Sequence, residues 1–423
     1  MTRRNRTATT ARTARSTKPA RRTRSTTPRR TAGRGAGRSL IHRSGPAAVL
    51  LAGVVALILA LAGGIGLPSA PTVQTDFRPD ARTPVACAAE DLDCLAQAYG
   101  NIAFVDGPSA AFAAIAADDR SDIALTCHRI VHRIGAAALA RDPERPGIAI
   151  AAGQSDCTSG YYHGVMQHVF LGLEEQTATA IASAGVEICN DPLIRRERFT
   201  QMNCLHGIGH GALIVAEYDL ADGLAICAAI DDPWSREWCY SGVYMENVLP
   251  AYGTTSIWID EQDPAFPCTA VTDVQGKGSC YQSLAISALS ASGGDFAGPA
   301  TACAAAELAY RFICYAAMGS QVNLAASATE IAAACGLAGD YLPTCIYGAL
   351  RFQSSQDGTL VVGAARCADP AIGIDRATCL RAIGSGLVGL VTGPQEVARA
   401  CRAALPTAAD YELCLRGATG ERE

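Results

Sequence analysis

The sequence predicts an all-α fold, a disulfide-stapled and solenoid-like array of helical hairpins standing behind a single N-terminal transmembrane helix. Three observations predict it. Cysteines recur with a period near 36 residues. The segments between them are rich in Ala and Gly and poor in alternating β-branched runs. One uncharged apolar run precedes every cysteine.

Residues 1–46 form a basic tail. Of the 35 Lys and Arg in the chain, 14 lie in residues 1–44, where there is no acid. Too few apolar side chains are present to bury a core, so a disordered cytoplasmic segment is expected; membrane orientation and contact with anionic lipid suffice to explain its charge.

The run from Ala47 to Leu67 carries no charge across 21 residues. At about 1.5 Å of rise per residue it matches a hydrocarbon core about 30 Å thick. The arginines from Arg3 to Arg43 hold the N-terminus in the cytoplasm and place the body outside. A cleaved signal peptide ending at Pro68-Ser69-Ala70 is the rival reading; Pro71 and the length of the run oppose it. The expected location is a single-pass protein of the cell membrane with an extracytoplasmic body, joined by a linker over 68–84.

Everything after residue 44, the body 85–417 included, is acidic as a whole, with 21 bases against all 40 acids. Phosphate contacts need clustered cations, so nucleic acid is an unsuitable partner for it. All 18 cysteines lie from Cys87 onward, and an even count in a segment facing an oxidising compartment reads as full pairing. Close spacing pairs Cys189 with Cys204, Cys227 with Cys239, Cys268 with Cys280, Cys303 with Cys314, Cys335 with Cys345, Cys367 with Cys379 and Cys401 with Cys414. Cys87, Cys94, Cys127 and Cys157 allow three connectivities, of which proximity favours Cys87 with Cys94 and Cys127 with Cys157. CxxC metal pairs are absent, so a zinc ribbon or haem attachment is not indicated.

The first cysteine of a pair ends an Ala-rich helical stretch and the second opens another. A capping oxygen precedes several opening cysteines, at Thr126, Asp156, Asn203, Ser279, Thr344 and Thr378, which predicts helix starts at those points. A period near 36 filled by two helices and a turn suits stacked hairpins that bury one face against their neighbours. Tetratricopeptide, ankyrin and leucine-rich signatures are not met position by position. The chain ends in a polar tail, 418–423.

Function shows in the unevenness of the array. Apart from His42, every histidine falls in the segments opened by Cys127, Cys157 and Cys204. His128 with His132, and His206 with His210, are four residues apart and share a helix face. His163 lies between the pairs in chain order. Neutral imidazole is the commonest nitrogen ligand of transition metals, so His128, His132, His163, His206 and His210 are the candidate ligands of a divalent zinc, copper or iron ion. Helix N-termini are expected to keep these rings unprotonated. His168 is rotated away from His163 and is left as a supporting or structural residue. Gly160, Gly164, Gly207, Gly209 and Gly211 either open room around a site or permit close helix packing.

Buried histidines hydrogen-bonded between hairpins, or an anion site at helix N-termini, are the competing readings. Glu246 is the best single catalytic candidate, with Glu217, Tyr161 and Tyr162 behind it; a solvated or capping carboxylate is its plainer role. The insertions within 157–204 and 239–280, the second with Ser256 to Asp260, offer a lid or a platform for a protein partner, although core packing explains Trp234, Trp238 and Trp258 equally. Triads, phosphate loops and dinucleotide fingerprints find no support. The sequence therefore favours a membrane-anchored metal-binding protein, with a metal-free interaction scaffold and a histidine-ligated metalloenzyme of unnamed reaction as alternatives.

Overall fold

A computed structural model describes residues 76–420, apart from 89, 158, 249–255, 261, 358–359, 390 and 392. The basic tail and the apolar run 47–67 lie outside these residues. Among the described residues no helix is long and apolar enough to cross a membrane.

All regular structure among the described residues is helical. In chain order the principal helices are α1 (Leu92–Asp106), α2 (Ser121–Arg141), α3 (Gly160–Leu171), α4 (Arg198–Val215) and α5 (Pro233–Val248). They continue with α6 (Val274–Ala291), α7 (Arg311–Ser320), α8 (Leu342–Asp357), α9 (Arg376–Gly386) and α10 (Ala408–Thr419). Each packs against its predecessor and its successor in this order. Their contact faces bury small and branched side chains together with whole tyrosines such as Tyr99, Tyr161, Tyr240, Tyr244 and Tyr281.

Nine disulfides bind this structure, in the pairing that sequence proximity favours, Cys87–Cys94 and Cys127–Cys157 included. No cysteine is free. Shorter elements carry the first cysteine of most pairs. Helices Ala178–Cys189, Leu220–Ala228, Ala297–Ala305, Ala328–Cys335, Val361–Ala368 and Pro394–Ala404 supply six, and the 3-10 turn Cys268–Ala270 a seventh. Each closed loop of about a dozen residues contributes on the order of 3 kcal/mol in the chain-entropy model. That contribution matters where alanine cores bury little area per side chain. Nine bridges also point to an oxidising, extracytoplasmic setting.

The helix starts differ from the predicted ones. The second cysteine of most pairs sits two to six residues inside its helix, and the working caps lie upstream of the predicted oxygens. Asp273 accepts from Gly276 N, Asp375 from Thr378 N and Thr407 from Asp410 N. Cys157 is the exception. It precedes α3 in a turn where Cys157 and Ser159 both have positive φ, 55° and 60°.

Close helix approach explains the glycines. A Cβ on Gly209 in α4 would run into the Cys239 carbonyl of α5, and one on Gly242 in α5 into the His206 carbonyl of α4. The tryptophans serve packing. Trp234 and Trp238 meet edge to face, the Arg198 guanidinium lies 3.4 Å from the Trp234 ring centre, and Trp258 stacks on Phe266.

Candidate metal centre

The five candidate ligands come from three consecutive helices. His128 and His132 stand on α2, His163 on α3, and His206 and His210 on α4. Because α3 packs between α2 and α4, its single histidine meets both pairs. The His163 ring centre lies 5.3 Å from His128, 5.4 Å from His132, 5.6 Å from His206 and 3.5 Å from His210.

Within each pair the Nε2 atoms face one another. They are 3.3 Å apart in His128 and His132, and 3.1 Å apart in His206 and His210. Two nitrogens of a tetrahedral shell with metal–nitrogen bonds of about 2.0 Å are separated by about 3.3 Å. The i, i+4 spacing therefore brings each pair to the separation a common ion requires.

The outer nitrogens fix which inner ones carry lone pairs. His128 Nδ1 is 2.9 Å from the Cys157 carbonyl oxygen. A carbonyl only accepts, so Nδ1 holds the proton and Nε2 presents a lone pair. Glu246 Oε2 lies 2.7 Å from His210 Nδ1 and imposes the same tautomer there, while Tyr218 donates its hydroxyl to Glu246 Oε1 at 2.8 Å. Gln167 stands beside His132 and favours its protonated form, with His132 Nδ1 itself outside strict hydrogen-bond geometry. The Trp238 main chain stands beside His206, outside strict hydrogen-bond geometry, and favours its protonated form. Histidines that ligate metals are oriented in this way, by a carboxylate or carbonyl on the far nitrogen.

The Cys127–Cys157 bridge takes part in this orientation. It ties the residue before His128 to the strained turn whose carbonyl His128 engages. Positive φ at two non-glycine residues costs on the order of 1 kcal/mol each and persists only where the surroundings enforce it.

Burial keeps His132, His163, His206 and His210 neutral. Desolvation pushes His132 down to about 3, with His128 adding repulsion. It holds His163, His206 and His210 well below the ordinary histidine range, aided by the neighbouring imidazoles. This replaces the macrodipole argument, because His128, His132, His206 and His210 lie in the interiors of α2 and α4, more than a turn from the N-termini where that field acts.

The five histidines singled out from the sequence lie in one neighbourhood. Glu246 is wholly buried rather than solvated, and both of its oxygens are engaged, so it orients His210 in place of acting as an exposed acid. His168 is apart from the cluster and pairs with Asp76 at 3.2 Å. Tyr161 donates to the Ala149 carbonyl and serves the core. Tyr218, Gln167 and the Cys157 carbonyl were missed. Nothing in their local sequence marks them, since each acts on a residue of a different helix, Gln167 from within α3 and Cys157 and Tyr218 from turns.

Two three-histidine groups can hold a metal ion: His128, His132 and His163, and His163, His206 and His210, with the ligand atoms of each within 4.8 Å of one another. Compared with protein families, curated proteins and solved structures, the chain shows no match. Its function must therefore be argued from this geometry.

Proposed function

We propose that the protein is a membrane-anchored, extracytoplasmic helical-repeat protein that holds a transition-metal ion through His128, His132, His163, His206 and His210. The observation that carries this reading is the inward-facing set of Nε2 atoms, 3.1 and 3.3 Å apart within the pairs, whose rings are oriented by Glu246 and the Cys157 carbonyl on their outer nitrogens. An all-imidazole set suits zinc, copper or iron and is unsuited to a magnesium- or calcium-type ion, which takes oxygen ligands. A cation there also offsets the buried charge of Glu246, which neutral imidazoles do less well.

The repeat reading rests on the period near 36 and on one crossing that recurs. The reciprocal contact of Gly209 and Gly242 has counterparts at Gly319 with Gly348 and at Gly384 with Gly417, each glycine facing a carbonyl of the other helix of its pair. Anchoring rests on the apolar run 47–67 and the bases before it.

A metal-free scaffold that presents the array to a protein partner is the second reading. The same Nε2 separations suit an N–H···N hydrogen bond within each pair, which is the observation favouring it. Elemental analysis of the purified chain separates the two. Stoichiometric zinc, copper or iron that is lost in His206→Ala/His210→Ala supports the metal site; a metal-free wild type that takes up none on incubation with these ions refutes it.

A further inference from the structure

His163 differs from the other four histidines in one respect. Both of its ring nitrogens are buried and neither has a hydrogen-bond partner, in a side chain with 0% exposure. A buried polar atom left unsatisfied carries the full penalty of its desolvation. Here one ring has two. Every histidine of the flanking pairs instead has a fixed group on or beside it: the Cys157 carbonyl, Gln167, the Trp238 main chain or Glu246.

His163 also belongs to both three-histidine groups. One group takes its other two nitrogens from α2, the second from α4, and α3 carries His163 between them. A ring with two unused nitrogens therefore stands between two pairs of inward-facing Nε2 atoms.

We propose that the centre is binuclear, with the His163 imidazole bridging two transition-metal ions, one held with His128 and His132 and the other with His206 and His210. This rests on the metal-binding reading above and extends it. Each ion receives three nitrogens, two from an i, i+4 pair and one from the shared ring. The ring's N–H proton leaves to solvent as the second ion binds, so the bridge carries one negative charge between the two cations. His163 lies stacked on His210, with planes 12° apart, and parallel rings cannot both point at one ion. Binding on that side turns the His163 ring about its side-chain torsions.

The test loads the metal-free full chain, in detergent, with Cu(II). Equilibrium dialysis with elemental analysis counts ions, and electron paramagnetic resonance reads their coupling. Two tightly held ions are expected, with a normal Cu(II) signal after the first equivalent that collapses after the second through antiferromagnetic coupling across the bridge. His163→Gln is expected to lose the coupling. His128→Asn/His132→Asn is expected to hold one ion with a full, uncoupled signal; circular dichroism verifies that each variant is folded, and the wild-type titration stands as a test even if a variant is not. One ion in the wild type, or two ions with undiminished signals, overturns the bridge and leaves the metal-binding reading intact. No bound ion overturns both.

Discussion

His210 Nδ1 and Glu246 Oε2 meet at 2.7 Å across 36 residues of sequence, in a region where the two side chains are 1% and 0% exposed. The carboxylate fixes the tautomer of the imidazole, and the imidazole in turn presents Nε2 inward. Partners of this kind typically contribute 10–100-fold to metal affinity. Glu246→Gln is therefore expected to weaken binding by about that factor while leaving the helical circular dichroism unchanged. Competition against a chromophoric chelator measures it, and an unaltered affinity would separate Glu246 from any ligand-orienting role.

Metal removal is expected to lower the unfolding temperature. An ion that binds only the folded chain adds about 2.7 kcal/mol when present at 100 times its dissociation constant. Scanning calorimetry with and without chelator should show the decrease in the wild type and none in His206→Ala/His210→Ala. Equal shifts in both proteins would mean that the chelator acts elsewhere.

Gly209→Ala is expected to destabilise the chain by about 1–3 kcal/mol, the usual cost of forcing a methyl group into a filled space. The added methyl meets the Cys239 carbonyl, and the displaced residue adjoins His210, so metal affinity should decrease as well. Gly336→Ala is the control. Nothing lies within 4 Å of its added Cβ and its φ is −56°, so it should be neutral or add about 0.4–1 kcal/mol. Urea midpoints for the two variants decide the matter; similar midpoints would contradict the crossing geometry.

Acid should remove one specific contribution near the N-terminal end of the body. Arg120 Nε donates to Asp118 Oδ1 at 2.8 Å and Tyr99 donates to Oδ2. The hydrogen bond from Arg120, ahead of that from Tyr99, holds the Asp118 carboxyl well below its usual range. A depressed folded-state value stabilises the protein above the unfolded value of about 3.9 and loses that stabilisation as pH falls toward the folded value. The urea midpoint of wild type should thus exceed that of Asp118→Asn at pH 7, with the gap narrowing below about pH 4. A gap that stays constant with pH would show that the ion pair does not contribute.

Much of this structure is legible from the cysteines, because a bridge between the end of one helix and the start of the next is a local event that spacing alone reveals. Helix starts were less so. Thr378 and Ser279 look like caps before their cysteines, yet Asp375 and Asp273 hold that role three and six residues earlier; a capping side chain declares itself only relative to where the apolar face begins. The histidine pairs followed from helical spacing. Glu246 reaches His210 from 36 residues away and Tyr218 reaches Glu246 from 28, over tertiary contacts that no local pattern encodes. Burial, likewise a tertiary property, is what holds His132, His163, His206 and His210 neutral.

Every bridge links near neighbours in the chain, the longest spanning 30 residues, and none overlaps another. A protease cut inside a bridged loop would leave both pieces covalently joined, whereas a cut between loops would sever them. The stretch from Cys239 to Cys268 is such a gap, since the first cysteine bonds backward and the second forward. All six histidines of the body precede it, so the backbone is the one covalent link between the imidazole-bearing portion and the remainder, and a single cut there would leave the two held together by noncovalent packing alone, that of α5 on α6 foremost.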